Sequence, residues 1–184
     1  MKLYIFNEFS GSGSEKENTD ALILRAVQTY LKQGGGDPST VPTILRTAEG
    51  KPYFEDLPIH FSISHTGTLW LCIMGNSPVG IDIQRIKPLG MDRVAKRFFT
   101  PEEQDYISQT GEAGFFSVWC RKEAYTKYFG STLATEISKV NMVSEGQLLT
   151  EINGIYLTDC PITEDTHCTV AKGTKEEIWI NILD

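Results

Sequence analysis

The segment FFSVWCRKEAYTKYFG, Phe115 to Gly130, constrains the fold of this chain more than any other. At 100° of rotation per residue, its apolar and aromatic side chains occupy nearly the whole circumference of a helix. Such a helix must be covered by other elements on most sides. It is expected from about residue 112 and ends at Gly130, a residue suited to the turn that closes a helix. Lys122, Glu123, Thr126 and Lys127 nevertheless share one arc of it. On a surface, a Glu123–Lys127 pair one turn apart adds only about 0.2–0.5 kcal/mol. Inside a protein those charges cost far more unless something satisfies them. The arc is either a solvated strip or part of a site.

IHFSISH, TLWLCIMG and VGIDIQRI read as three short strands punctuated by TG and NSP turns. KLYIF suggests a first or edge strand, and TDALILRAVQTYLK an amphipathic helix stopped by GGG. The stretch from Gly34 to Lys51 reads as loop. FTPEEQDYI opens a helix: Thr100 caps, Pro101 suits the first turn, and Glu103 stands three after the cap. The rest alternates and reads as mostly β.

In VGIDIQRI, Asp82 and Gln84 face one side of the strand, and Ile81 and Ile83 the other. Asp82 sits inside an apolar run, where an unpaired carboxylate is costly. A strand aspartate and a glutamate on a buried helix suit Mg²⁺, which prefers oxygen and takes its remaining ligands from water and phosphate. Lysines beside such a site would answer the charge of phosphate oxygens.

Composition bounds the rest. With 184 residues, 40% hydrophobic and 22% charged, the chain is ordinary globular protein of one domain or two small lobes. It has neither a signal-like start nor an apolar run near the roughly 20 residues needed to span a membrane, so a cytoplasmic protein with no membrane partner is expected. The four cysteines lack short paired spacing and are expected as free thiols. Cys160, His167 and Cys168 fit no familiar zinc pattern. A net charge of -7 argues against nucleic acid as partner. The charge is uneven, because residues 85–127 carry 8 Lys+Arg against 6 Asp+Glu between two acidic flanks. Arg85, Lys87, Arg93, Lys96 and Arg97 lie close together there, a solvated surface or a site for an acidic partner.

FSISHTG, VGIDIQ, FFTPEEQDYI and FFSVWCRKEAYTKYFG, in that order and preceded by GKPYF, resemble the surfactin-synthetase-activator type of 4′-phosphopantetheinyl transferase. The resemblance covers roughly residues 50–130. Its specific part is G-[IV]-D followed some forty residues later by W-x-x-K-E-A-x-x-K, here Gly80-Ile81-Asp82 and Trp119 to Lys127.

That resemblance implies an α/β (α+β) fold of two similar lobes in pseudo-twofold arrangement, with the active site in the cleft between them. Residues 1–78 would form the N-terminal lobe, and residues 79–184 the C-terminal lobe carrying the motifs. It implies Mg²⁺-dependent transfer of the 4′-phosphopantetheine arm of coenzyme A to a serine of an acyl or peptidyl carrier protein, releasing 3′,5′-ADP. Asp82 and Glu123 would bind Mg²⁺, with Gln84 beside them. Lys122 and Lys127 would contact phosphate, and Glu123 is the candidate base. Lys51 would meet the 3′-phosphate of coenzyme A, and Ser64 and His65 its nucleotide end. A monomer is expected.

Two features depart from the family pattern. Gln84 stands where the family usually has an acid, so it ligates only through a neutral carbonyl and cannot act as a base. The N-terminal part is short where longer relatives carry basic residues, and Lys16 or Arg25 are the available substitutes. Two other readings use the same residues: a non-catalytic relative that binds coenzyme A or a carrier protein, and an Mg²⁺-dependent nucleotide pyrophosphate hydrolase. The hydrolase leaves Trp119 and the whole helix motif unexplained.

Overall fold

The structure is a computed structural model that describes residues 1–9, 15–87, 91–130 and 140–183, with the backbone alone at 15–17 and 92. The first half supplies β1 (Lys2–Phe6), α1 (Glu15–Gly34), β2 (Ile44–Arg46), β3 (Pro52–Phe54), β4 (His60–Thr66) and β5 (Leu69–Gly75). The second supplies β6 (Val79–Arg85), α2 (Met91–Phe98), α3 (Pro101–Phe129), and β7 (Val143–Ser144), β8 (Gln147–Leu148), β9 (Glu151–Ile152), β10 (Ile155–Asp159), β11 (Thr166–Lys172) and β12 (Trp179–Ile182).

The strands build two four-stranded sheets, β12-β1-β5-β4 and β6-β11-β10-β9, and two short hairpins. Strand alternation sorts the side chains of each sheet to its two faces. Leu3, Ile5, Leu71 and Ile73 of the first sheet meet Val79, Ile81, Ile83 and Val170 of the second in a shared core. On the outer face of the first sheet, Tyr4, Trp70, Cys72 and Met74 receive Ile23, Ala26 and Val27 of α1. On the outer face of the second, Leu157 and Ala171 receive Val118, Ala124 and Tyr125 of α3. The layers therefore run α1, sheet, sheet, α3, and the fold is α/β as the sequence suggests.

α3 is two helices joined at a kink. Gly111, at φ 67°, breaks the helical dihedrals between the TPEE start and the aromatic segment. The capping box at Thr100 and Glu103 is complete, and Gly130 closes the far end in the left-handed conformation.

Four local features differ from the sequence expectations. β1 is the first strand but lies inside its sheet, paired to β12 on one side and β5 on the other. The Gly34–Lys51 stretch contains β2, which pairs with β3. Residues 91–98 form a helix rather than only a charge cluster. Finally, β12 lies in the 79–184 segment yet pairs parallel with β1, within the first sheet. All four cysteines are buried and free, and among the described residues no helix is long and apolar enough to cross a membrane.

Candidate active site

The end of the first sheet, the start of the second and α3 meet at a cleft of about 380 Å³ lined by Ile63, Ser64, His65, Asp82, Gln84, Glu123 and Lys127. β6 delivers Asp82 and Gln84 to it because Ile81 and Ile83 are committed to the core between the sheets. α3 delivers Glu123 and Lys127 from the arc noted in the sequence. The two elements come close because residue 80 has no side chain. A Cβ on Gly80 would collide with the carbonyl of Ala124 and lie 2.5 Å from the Tyr128 nitrogen. The glycine of G-I-D thus admits the helix to the strand.

Asp82, 2% exposed, is surrounded by donors. Lys127 Nζ reaches Oδ1 at 2.7 Å, Ser64 Oγ donates to Oδ1 at 2.9 Å, and Gln84 Nε2 donates to Oδ2 at 3.1 Å. Lys127 Nζ also donates to Ser64 Oγ at 3.2 Å. Glu123 stands in the same cleft with its carboxyl pushed up to about 7, by burial first and then by the negative charge of Asp82, against the opposing pull of Lys127. His65 is exposed at the cleft, its ring 4.9 Å from that of Phe9.

The donor set is oxygen only: the Asp82 and Glu123 carboxylates and the Gln84 amide oxygen. Among the described residues, no three His, Cys, Asp or Glu side chains are grouped to hold a metal. Two carboxylates fit a Mg²⁺ that takes its other ligands from phosphate and water, and fit poorly an ion that needs an all-protein cage.

Two residues expected at the site lie elsewhere. Lys122 is fully buried on another side of α3, where its Nζ pairs with Glu103 Oε2 at 3.0 Å and donates to the Val140 carbonyl at 2.6 Å. Phe99 lies beneath it, 5.7 Å away. Burial lowers its pKa and Glu103 works against that shift. Lys122 does not line the cleft, and meeting a phosphate there would strip a fully buried carboxylate of its partner. Lys51 sits at the C-terminal end of α3. Its ammonium is held by the carbonyls of Lys127, Val79 and Tyr128, and burial and the nearby Lys127 charge push it down to about 8. It anchors the β2–β3 hairpin against the helix that carries Lys127.

Of the substitutes at the N-terminal end, the described one, Arg25, does not line the cleft. Arg25 lies over the Phe6 ring, and the side chain of Lys16 is outside the described residues. Trp119 of the motif packs against Phe98, Phe99 and Phe115, where α2 meets α3.

Sequence reasoning missed Glu103 as more than a cap. Its Oε2 accepts from the Thr100 N–H at 2.8 Å, its Oε1 from the Met142 N–H at 2.8 Å, and it is fully buried. In the sequence Glu103 reads as the cap and Lys122 as a contact for phosphate, and their separation along the chain hid the pair they form.

Comparison with known proteins agrees with this geometry. The family model of the 4′-phosphopantetheinyl transferase superfamily matches residues 78–173, more than half of the chain, and spans Asp82, Glu123 and Lys127. The 4′-phosphopantetheinyl transferase psf-1 of Bacillus pumilus is 40% identical over 94 residues, 48% of this chain and 40% of that protein. The 4′-phosphopantetheinyl transferase Sfp of Bacillus subtilis (strain 168) is 36% identical over 112 residues, 56% of this chain and 49% of that protein. The 4′-phosphopantetheinyl transferase gsp of Aneurinibacillus migulanus is 33% identical over 116 residues, 61% of this chain and 48% of that protein. The matches cover about half the length of these relatives or less. With the strand aspartate, the helix glutamate and the lysine one turn beyond it gathered in one cleft, the chain belongs to the 4′-phosphopantetheinyl transferase superfamily.

Proposed function

We propose that the chain transfers the 4′-phosphopantetheine arm of coenzyme A to a serine of an acyl or peptidyl carrier protein, with Mg²⁺ and with release of 3′,5′-ADP. The observation that carries this reading is the convergence of Asp82, Gln84, Glu123 and Lys127 on one cleft. Its acidic oxygens and its ammonium suit a metal-bridged pyrophosphate.

In the reaction the serine Oγ forms a bond to the β-phosphorus of coenzyme A, and the bond from that phosphorus to the bridging oxygen breaks. Asp82, Glu123 and the Gln84 carbonyl would hold Mg²⁺, which when bound draws charge from the pyrophosphate and stabilises the departing phosphate. Lys127 brings a second positive charge to the phosphate oxygens. Glu123, in the same cleft, is the candidate base for the serine proton. Positioning and charge neutralisation carry such a transfer, with little covalent help from protein. His65, exposed at the cleft, is the side chain available to the nucleotide end. Lys51 and Lys122 act in this reading through the placement of α3. A cytoplasmic setting fits the four free thiols.

The reading as a non-catalytic binder rests on Gln84, which leaves two carboxylates where three would hold the ion more firmly. One experiment separates the two. The chain is incubated with coenzyme A, Mg²⁺ and a panel of apo-carrier proteins, and each carrier is weighed by mass spectrometry. The expected outcome is a carrier gaining the phosphopantetheine mass with an equal amount of 3′,5′-ADP. Asp82→Ala and Glu123→Ala are expected to abolish the gain while remaining folded. Coenzyme A binding with no mass gain on any carrier would favour the binder, and release of 4′-phosphopantetheine without a carrier would favour the hydrolase.

A further inference from the structure

Ser62, Ser64 and Thr66 occupy alternate positions of β4 and project from one face. Their cross-strand neighbours Ile73, Leu71 and Leu69 belong to the core between the two sheets, so this face looks toward the second sheet. Ser62 and Ser64 are buried there, where a hydroxyl with no partner is costly. Each of the three has one. The backbone N–H of Ile81 donates to Ser62 Oγ, that of Ile83 to Ser64 Oγ and that of Arg85 to Thr66 Oγ1, each at 3.2 Å. The sequence separation is 19 at every rung, so β4 and β6 run in the same direction and in register. β4 borders the first sheet and β6 the second, with the other edge of β6 committed to β11. The hydroxyls therefore fill the place that the carbonyls of a neighbouring strand would take, and two sheets are joined without becoming one.

Ser64 is the rung that enters the cleft. A hydroxyl has one proton to give and two lone pairs to offer. The Ser64 proton goes to Asp82 Oδ1, and its lone pairs receive the Ile83 N–H and Lys127 Nζ. Its capacity is spent inside the protein. We propose that this hydroxyl ladder is the joint that fixes the cleft, and that Ser64 is a positioning residue for Asp82 and Lys127 rather than a contact for the nucleotide. The second part rests on reading the cleft as the transfer site.

The ladder is tested without any activity by backbone amide exchange, followed by NMR on the full chain and on Ser62→Ala, Ser64→Ala and Ser64→Thr. Exchange is expected to accelerate about 10- to 100-fold at Ile81 in Ser62→Ala and at Ile83 in Ser64→Ala, with the rest of β6 much less affected. Ser64→Thr keeps the hydroxyl and should keep the protection. Unchanged protection at Ile81 and Ile83 in the alanine variants would overturn the ladder. If Ser64→Ala does not fold, Ser62→Ala and Ser64→Thr still decide it.

The positioning role is tested by transfer kinetics. Ser64→Ala should lose about tenfold or more in kcat with the KM for coenzyme A within about twofold, and Ser64→Thr should recover most of the loss. A large rise in that KM with kcat unchanged would make Ser64 a nucleotide contact. Should the unaltered chain transfer nothing, the proposed function falls while the exchange data still judge the ladder.

Discussion

Burial and the neighbouring Asp82 carboxylate hold the Glu123 carboxyl near 7, against an ordinary value of 4.5. Between those two pH values the folded chain binds more protons at this site than the unfolded chain does. The stabilisation is thus fully present below pH 4.5 and is lost as the pH rises through 7. Glu123→Gln keeps the shape and removes the ionisation. At pH 8 the metal-free variant is expected to be more stable than the parent by on the order of 1–2 kcal/mol, a figure discounted for partial exposure. The gain should vanish near pH 4.5, although transfer is lost. Urea titrations at both pH values check this, and an equal difference at both contradicts the raised pKa. Gln84 gives the complementary case. Its amide donates to Asp82 Oδ2 at 3.1 Å, and Gln84→Glu replaces that donor with a like charge. The metal-free variant should therefore melt lower than the parent, gain more from added Mg²⁺, and reach half-maximal transfer at lower Mg²⁺. A variant that needs more Mg²⁺ than the parent would show that this edge of β6 does not face the ion. Asp82, Glu123 and Lys127 were legible in the sequence because strand and helix periodicity fix their faces. The saturation of Ser64 and the anchoring of Lys51 were not, since both depend on atoms brought together from distant segments.

Among the elements, α3 depends on a contact that bypasses its own break. Glu103 belongs to the segment before Gly111 and Lys122 to the segment after it, and their buried pair also ties in the Thr100, Val140 and Met142 backbone. Lys122→Ala would leave Glu103 charged and without that ammonium, at a cost of about 3–5 kcal/mol. Lys122→Met combined with Glu103→Gln should recover part of that loss, because a neutral amide keeps the cap without the uncompensated charge. Denaturant midpoints of the two variants make the comparison. A Lys122→Ala protein as stable as the parent, but with a raised KM for coenzyme A, would return Lys122 to the phosphate. The elements that local periodicity describes, α1, β4, β5, β6 and both parts of α3, were readable from the sequence. β12 was not, because nothing in WINI distinguishes a strand beside β11 from one beside β1 at the opposite end of the chain. α2 carries a short helical signal in Val94, Ala95 and Phe98, masked by its charges.

The molecule as a whole is acidic at -7, yet α2 exposes Arg93, Lys96 and Arg97. α2 packs on α3 through Phe98 and Trp119, whose ring centroids are 6.1 Å apart, and Trp119 lies one turn before Glu123. Arg93, Lys96 and Arg97 thus stand exposed on a helix packed against the part of α3 that precedes Glu123. For an acidic carrier protein, the partner proposed above, repulsion from the net negative molecule and attraction to these three side chains would favour an approach by way of α2. Replacing Arg93, Lys96 and Arg97 together by glutamate should raise the KM for an acidic apo-carrier about tenfold or more while leaving that for coenzyme A within about twofold. The two effects separate because α2 contributes no residue to the cleft lining. Salt gives an independent reading, since at about 0.1 M the screening length is about 10 Å and surface attraction weakens beyond it. Carrier KM in the parent should rise with salt, and in the reversed variant it should change little or fall. Equal losses toward coenzyme A and carrier would assign α2 to the packing of α3, and the docking surface would have to be sought elsewhere.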